Sequence, residues 1–198
     1  GEVTLRVTAL CQNEQEGEQL ARPMIGEIIA RLGDIVYSTV GESLPETCAR
    51  MLTDDGQTLA VAESCTGGMV ASELVAIPGC STFLLEGCVT YSDAAKVSRL
   101  GVKQETLDQF GAVSEQCARE MAEGMRKTSG ADYALATTGY AGPDGGTEEN
   151  PVGTIYIAIA RQGETLVKRI SLFGDRARIR EIATLHAFDM LRRKLCLD

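Results

Sequence analysis

A serine, a tyrosine and a lysine define the chemistry that this sequence could perform. Ser64 lies in Ala62-Glu63-Ser64-Cys65-Thr66-Gly67-Gly68, between an apolar run and a helical pattern. A free hydroxyl attacks poorly at neutral pH, so Ser64 needs an activating base. The single histidine, His186, falls on the apolar stripe of the last helix and reads as a core or interface residue. There is no Gly-x-Ser-x-Gly elbow and no lysine three residues after Ser64, so neither the usual hydrolase pattern nor the penicillin-binding one fits. A lysine base remains, because serine–lysine pairs are a variant of the triad logic. Burial disfavours a lysine's charge and makes its amine a competent base. Lys96 is the candidate, one turn into the helix that begins just after Tyr91; the other reading is a solvated surface lysine. Cys65 is either a rival nucleophile or a small residue lining a helix start.

Anion binding has three candidate sources. The first is the turn after Ser64, where the N–H groups of Cys65, Thr66, Gly67 and Gly68 open a helix. Such groups lack internal partners and favour negative charge. The plainer reading makes Ser64 or Thr66 an N-cap. The second is the loop Gly139-Tyr140-Ala141-Gly142-Pro143-Asp144-Gly145-Gly146, whose amides could wrap a phosphate or simply build turns. It lacks the Gly-Lys-Ser/Thr ending of a P-loop, so no nucleoside triphosphate and magnesium are expected. The third is Arg176, Arg178 and Arg180 at the start of the last helix, as a phosphate clamp or as solvated side chains.

These residues need a sheet to position them. Thr58–Ala62 reads as a buried strand and Met69–Val75 as a helix. The strand Gly87–Tyr91 leads to a helix from Ser92 to Leu100. Gln104–Phe110 and a longer helix capped by Ser114 follow, with Cys117, Met121 and Met125 on one face. Asp132–Thr138 is the next buried strand. Val152–Ala160 and Thr165–Phe173 pair as a hairpin, and a helix from about Asp175 to Leu195 buries Ile179, Ile182, Ala183, His186 and Met190. If the Tyr91 strand neighbours the Thr58–Ala62 strand, Ser64, Tyr91 and Lys96 converge at one sheet edge. The alternation predicts an α/β fold, a three-layer α/β/α sandwich with a mixed sheet.

Ahead of this lie a strand over Val3–Ala9, a helix over Glu18–Leu32 and a strand over Ile35–Tyr37. That β-α-β appendage is too small for its own core. Gly41-Glu42-Ser43 reads as a linker, with a helix from Leu44 to about Thr53 after it. The chain opens on Gly1 in mid-pattern, as expected of a fragment or a processed chain. No secretory-signal pattern opens it and no apolar run is long enough to span a bilayer. A net charge of −9, with no basic run longer than Arg192-Arg193-Lys194, argues against a nucleic-acid groove. The seven scattered cysteines never form Cys-x-x-Cys, which with one histidine argues against a zinc site or a disulfide framework. Free cysteines suit a reducing, cytoplasmic compartment.

Several stretches, in order, are similar to a known family. They are Ala62–Gly68, Val89-Thr90-Tyr91-Ser92 with Lys96, Gly111-Ala112-Val113-Ser114, Gly139–Gly146 and Pro151-Val152-Gly153-Thr154. Together they resemble the C-terminal domain of the competence/damage-inducible protein CinA, which also occurs alone as the PncC-type nicotinamide-mononucleotide deamidase. The resemblance implies a deamidase domain over residues 42–198 and, over 1–41, part of the KH-type module that precedes it in longer CinA proteins. It implies hydrolysis of the carboxamide of nicotinamide mononucleotide, with Ser64, Tyr91 and Lys96 catalytic and no metal or cofactor. Cys65, Thr66, Gly67, Gly68, Thr138, Gly139, Gly142, Gly145, Gly146 and Arg176 or Arg178 fall at ligand positions. The implied partner is a small-molecule nucleotide, with no nucleic acid or membrane, and the family's habit is a homo-oligomer. Tyr140 departs from the family's usual aliphatic residue, and Cys88 from its usual small or apolar one. The rival class is a non-catalytic nucleotide-binding or regulatory module. An ADP-ribose pyrophosphatase activity belongs in this family to an N-terminal domain that these residues do not include.

Overall fold

The computed structural model describes residues 1–197. The chain forms two compact units, Gly1–Leu44 and Pro45 onward. The first is built on α1 (Glu14–Leu32), whose N-cap Asn13 accepts a hydrogen bond from the Glu16 N–H and whose end is Gly33. The helix expected here forms; the two flanking strands do not. Residues 3–9 have no regular structure and Gly33–Ile35 is a 3-10 turn. An alternating pattern becomes a strand only where a second strand accepts its hydrogen bonds, and among the described residues this unit offers none. Leu20, Met24, Ile25 and Ile29 of α1 stay exposed, so no core stabilises a strand from the side.

The second unit is a mixed sheet covered on both faces. Its strands are β1 (Leu59–Glu63), β2 (Leu84–Val89), β3 (Tyr133–Gly139), β4 (Thr154–Arg161) and β5 (Glu164–Ser171), in spatial order β2-β1-β3-β4-β5. β1 runs parallel to β2 and β3, whereas β3, β4 and β5 pair antiparallel. All five residues of β1 are buried, as the apolar run Leu59-Ala60-Val61-Ala62 demands of a central parallel strand. β2 begins earlier than expected and ends at Val89, leaving Tyr91 just beyond it.

One sheet face is lined by alanines: Ala60 and Ala62, Ala134 and Ala136, Ala158 and Ala160. Against them lies α6 (Glu115–Ser129), capped by Ser114 and presenting Cys117, Met121 and Met125. Helix α4 (Asp93–Leu100), capped by Ser92, and α5 (Gln104–Phe110) pack on α6. The contact is close: a Cβ on Gly124 would sit 1.7 Å from the Leu100 carbonyl oxygen. On the other face lie α3 (Met69–Val75) and α7 (Arg176–Leu195), with α2 (Leu44–Asp54) beside α7 through the Cys48 thiol and the Phe188 carbonyl. α7 buries Ile179 and Ala183 as expected, but its stripe continues through Ala187, Phe188 and Leu191. Ile182, His186 and Met190 are only half-buried.

The chain leaves β1 on one side for β2 and returns on the other as β3. Such a reversal opens a crevice at the carboxyl end of the central strand. Ser64 sits at that end.

Candidate active site

Two hydrogen bonds extend the ladder past β1: the Ser64 N–H donates to the Thr137 carbonyl, and the Thr90 N–H donates to the Glu63 carbonyl. Ser64 is thereby fixed between its neighbours, and Thr90 and Tyr91 are brought alongside it. Ser92 then caps α4 by accepting from the Ala95 N–H at 3.2 Å, and the first turn of that helix turns Lys96 back over the strand ends. The solvated reading of Lys96 is thereby overturned, since its side chain is only 1% exposed.

The Lys96 Nζ lies 3.1 Å from Ser64 Oγ, 2.9 Å from the Thr90 carbonyl oxygen and 3.3 Å from the Tyr91 carbonyl oxygen. All three partners are neutral oxygens. Burial of the amine without a bonded carboxylate pushes its pKa below the usual 10.5, against weaker opposing fields from Cys117 and Asp93. A neutral amine has two N–H donors and one lone pair. The two carbonyls can only accept, so they take both donors and leave the lone pair facing the Ser64 hydroxyl. Cys65, by contrast, is held as a thiol: burial pushes its pKa up to about 12. Lacking thiolate character, it is a poor nucleophile. His186 does not line the cleft, and its pKa is lowered by burial and by Lys168.

The turn after Ser64 is held from two sides. Glu63, 1% exposed, takes three N–H donors with its carboxylate: Gly68 at 2.9 Å, Val70 at 3.1 Å and Ala71 at 2.8 Å. Neither Ser64 nor Thr66 is the N-cap of α3. Gly68 occupies that position with φ 97°, and Glu63 supplies the capping oxygens. From the other side Arg180 donates to the Cys65 carbonyl at 3.2 Å and the Thr66 carbonyl at 2.7 Å. Gly67 N–H closes the turn on the Ser64 carbonyl, and the Thr66 and Thr137 hydroxyls pair at 2.7 Å. The Gly67 and Gly68 amides are therefore engaged internally. No oxygen among the described residues accepts from the Cys65 or Thr66 N–H; both are directed at the Cys65 sulfur, a weak acceptor.

The cleft beside Ser64 encloses about 190 Å³ and opens to solvent. Ser64, Cys65, Tyr91, Lys96, Thr138, Gly139 and Arg176 line it, joined by Ala112, Val113, Tyr140 and Ala141. Thr138 donates to the Ala112 carbonyl at 2.7 Å and so fixes the Gly111–Ser114 turn as one wall. Tyr91 is 61% exposed at the mouth, where its hydroxyl accepts from Arg176 at 3.1 Å; the same guanidinium donates to the Gly142 carbonyl at 2.7 Å. Thr66, Gly67, Gly68, Gly142, Gly145, Gly146 and Arg178 do not line the cleft. The glycine loop closes on itself: Gly142 and Gly145 take φ 78° and 97°, and a Cβ on Gly146 would lie 2.5 Å from the Val152 nitrogen. Arg178 is exposed beside Gly174, with its N–H on Asp175. Of the two arginines expected at a phosphate, Arg176 alone reaches the cleft. The role of Glu63 was signalled by a lone carboxylate just ahead of a helix start; the Arg180 clamp had no such signal.

The model of the CinA C-terminal domain matches residues 41–195. This chain belongs to the CinA family. A Clostridium perfringens protein named as competence-damage inducible is 50% identical over 194 residues, covering 98% of this chain and 47% of that protein. A CinA-like protein of Kosmotoga olearia is 48% identical over 195 residues, with the same coverage of 98% and 47%. The chain thus spans about half the length of the curated relatives it matches. Among solved structures, the competence damage-inducible protein A of Klebsiella pneumoniae superposes with a TM-score of 0.75 at 42% identity, covering 77% of this chain and 95% of that one. The CinA fold is therefore the architecture that carries this cleft.

Proposed function

We propose that this CinA-family chain is an amidohydrolase that converts nicotinamide mononucleotide to nicotinic acid mononucleotide and ammonia, a step of pyridine nucleotide recycling. The observation that carries the reading is a buried, carboxylate-free lysine amine 3.1 Å from a serine hydroxyl at the mouth of a crevice. Desolvating an amine there costs stability, which supports a role for it in the chemistry.

Ser64 Oγ attacks the carboxamide carbon while its proton passes to Lys96 Nζ. The amide of Cys65, the residue of the turn that lines the cleft beside Ser64, stabilises the oxyanion that forms, as a preorganised donor does in acyl transfer. The tetrahedral intermediate collapses by breaking the C–N bond, and Lys96 returns the proton to the departing nitrogen, which leaves as ammonia. Water then attacks the Ser64 ester, with Lys96 taking its proton and restoring the serine hydroxyl. The neutral base is regenerated in each half-reaction. Tyr91, tied to Arg176 at the mouth, helps to hold the reacting amide, and the remaining N–H groups of Arg176 meet the nucleotide's phosphate. A cleft of about 190 Å³ is smaller than the roughly 300–1,000 Å³ of a drug-sized ligand site. It takes the pyridine ring and its carboxamide and leaves the ribose phosphate at the rim.

The test is product analysis: ammonia and nicotinic acid mononucleotide form in equal amounts from nicotinamide mononucleotide. A folded chain that binds the nucleotide without releasing ammonia would move the reading to a binding or regulatory module.

A further inference from the structure

The cleft wall contains an aromatic side chain that the mechanism does not use. Tyr140 lines the cleft with Ser64 and Lys96. Its backbone is pinned to β4, with its N–H on the Thr154 carbonyl at 2.9 Å and its carbonyl on the Gly153 N–H at 2.7 Å. Its ring is backed by Gly145, where a Cβ would lie 3.4 Å from Cδ1. The ring is thus buttressed from the glycine loop. The cleft's charges are as informative: Arg176 is present and no aspartate or glutamate lines it. A cationic ring entering this space meets no anionic side chain and one guanidinium. Beside its neutral oxygens, the wall offers a cationic ring the negative face of an aromatic side chain. Of the two tyrosines in the wall, Tyr91 has its hydroxyl committed to Arg176.

We propose that Tyr140 is a specificity-determining residue that reads ring charge, taking the cationic pyridinium of a nucleotide on its aromatic face and disfavouring the neutral, reduced ring. This rests on the amidase reading, in which a pyridinium nucleotide occupies the cleft.

The experiment titrates nicotinamide mononucleotide and its reduced dihydropyridine form into the Ser64→Ala chain, which holds ligand without turnover. The same titrations are made with Tyr140→Ile and Tyr140→Phe added. A cation–π contact predicts that Tyr140→Ile weakens the oxidised nucleotide by about 3- to 30-fold and the reduced one by much less. Tyr140→Phe keeps the parent's preference, since the ring face remains. Because both ligands are read on one sample, a folding defect cancels in the ratio of the two constants. A ratio unchanged by Tyr140→Ile overturns the inference and leaves the amidase reading standing. Failure of the Ser64→Ala chain to bind either nucleotide overturns both.

Discussion

Replacing Lys96 by methionine tests the protonation state on which the chemistry depends. Methionine keeps an unbranched apolar stem in the space of the lysine and removes the ionisable group. The native environment lowers the Lys96 pKa below 10.5 through burial, while in the unfolded chain it returns to the ordinary lysine value. Between those two values the unfolded chain holds a proton that the folded chain has shed. Unfolding free energy therefore rises with pH across that window, by up to about 1.4 kcal/mol per pH unit for one group. Below the window the buried ammonium carries its full destabilising cost, and above it the cost is gone. Lys96→Met also removes the donors to the Thr90 and Tyr91 carbonyls, a loss of about 1–3 kcal/mol for each buried group left unsatisfied. That loss is pH-independent once the parent amine is neutral, so it offsets the curve without changing its slope. The assay is urea unfolding of the parent and Lys96→Met at a series of neutral to alkaline pH values. The stability difference should climb in the parent's favour with pH across that window, and the parent's kcat/KM should rise at its lower edge, where the folded amine deprotonates, and level off above it. A difference that stays flat up to 10.5 would mean that the folded chain keeps the ammonium, and the general-base argument would fail.

Three further substitutions probe how the nucleophile is held. Glu63→Gln turns an acceptor-only group into one with N–H donors facing the start of α3; it should cost about 1–3 kcal/mol in urea unfolding and lower kcat. Arg180→Met strips the donors from the Cys65 and Thr66 carbonyls. Hydrogen exchange at Gly67 and Gly68 should accelerate in that variant, with kcat falling more than KM changes; unchanged exchange would show that the turn does not need the clamp. Gly139→Ala would place a Cβ 2.4 Å from Ile155 Cδ1 and 2.6 Å from the Thr154 carbonyl oxygen. Overpacking of this kind costs about 1–3 kcal/mol, visible as a lowered urea midpoint, and parent-like stability would contradict the packing.

Much of the scaffold can be read from local signals because local physics determines it. Ser92 and Ser114 each precede a helix and accept the N–H of the third residue on, as a capping serine does. The Leu59–Ala62 run is apolar throughout because both of its faces are covered. The juxtaposition of Ser64 and Lys96 depends on one tertiary fact, the pairing of β1 with β2, and that pairing is observed. Other features depend on contacts between residues far apart in the chain. Arg180 reaches carbonyls 114 and 115 positions earlier, and no spacing rule encodes this. The burial stripe of α7 is set by α2, α3 and the sheet together, which is why Phe188 and Leu191 are inside while Met190 is not. The alternation of Val3–Ala9 is a strand pattern without a partner. The glycines of 142–146 read in the sequence as a phosphate cradle or as turns, because positive φ serves both; their close contacts with Val152 and Tyr140 are tertiary facts that no local signal carries.

The central claim is acyl transfer through Ser64 with Lys96 as its base. Its most direct test is the rate of ammonia release from nicotinamide mononucleotide, in chelator, by the parent chain and by Ser64→Ala and Lys96→Ala. The account predicts turnover by the parent and a loss of about 10²- to 10⁴-fold or more in each variant, with both still binding the nucleotide. Ammonia release that survives Ser64→Ala would contradict it, because another atom would then be attacking the carboxamide.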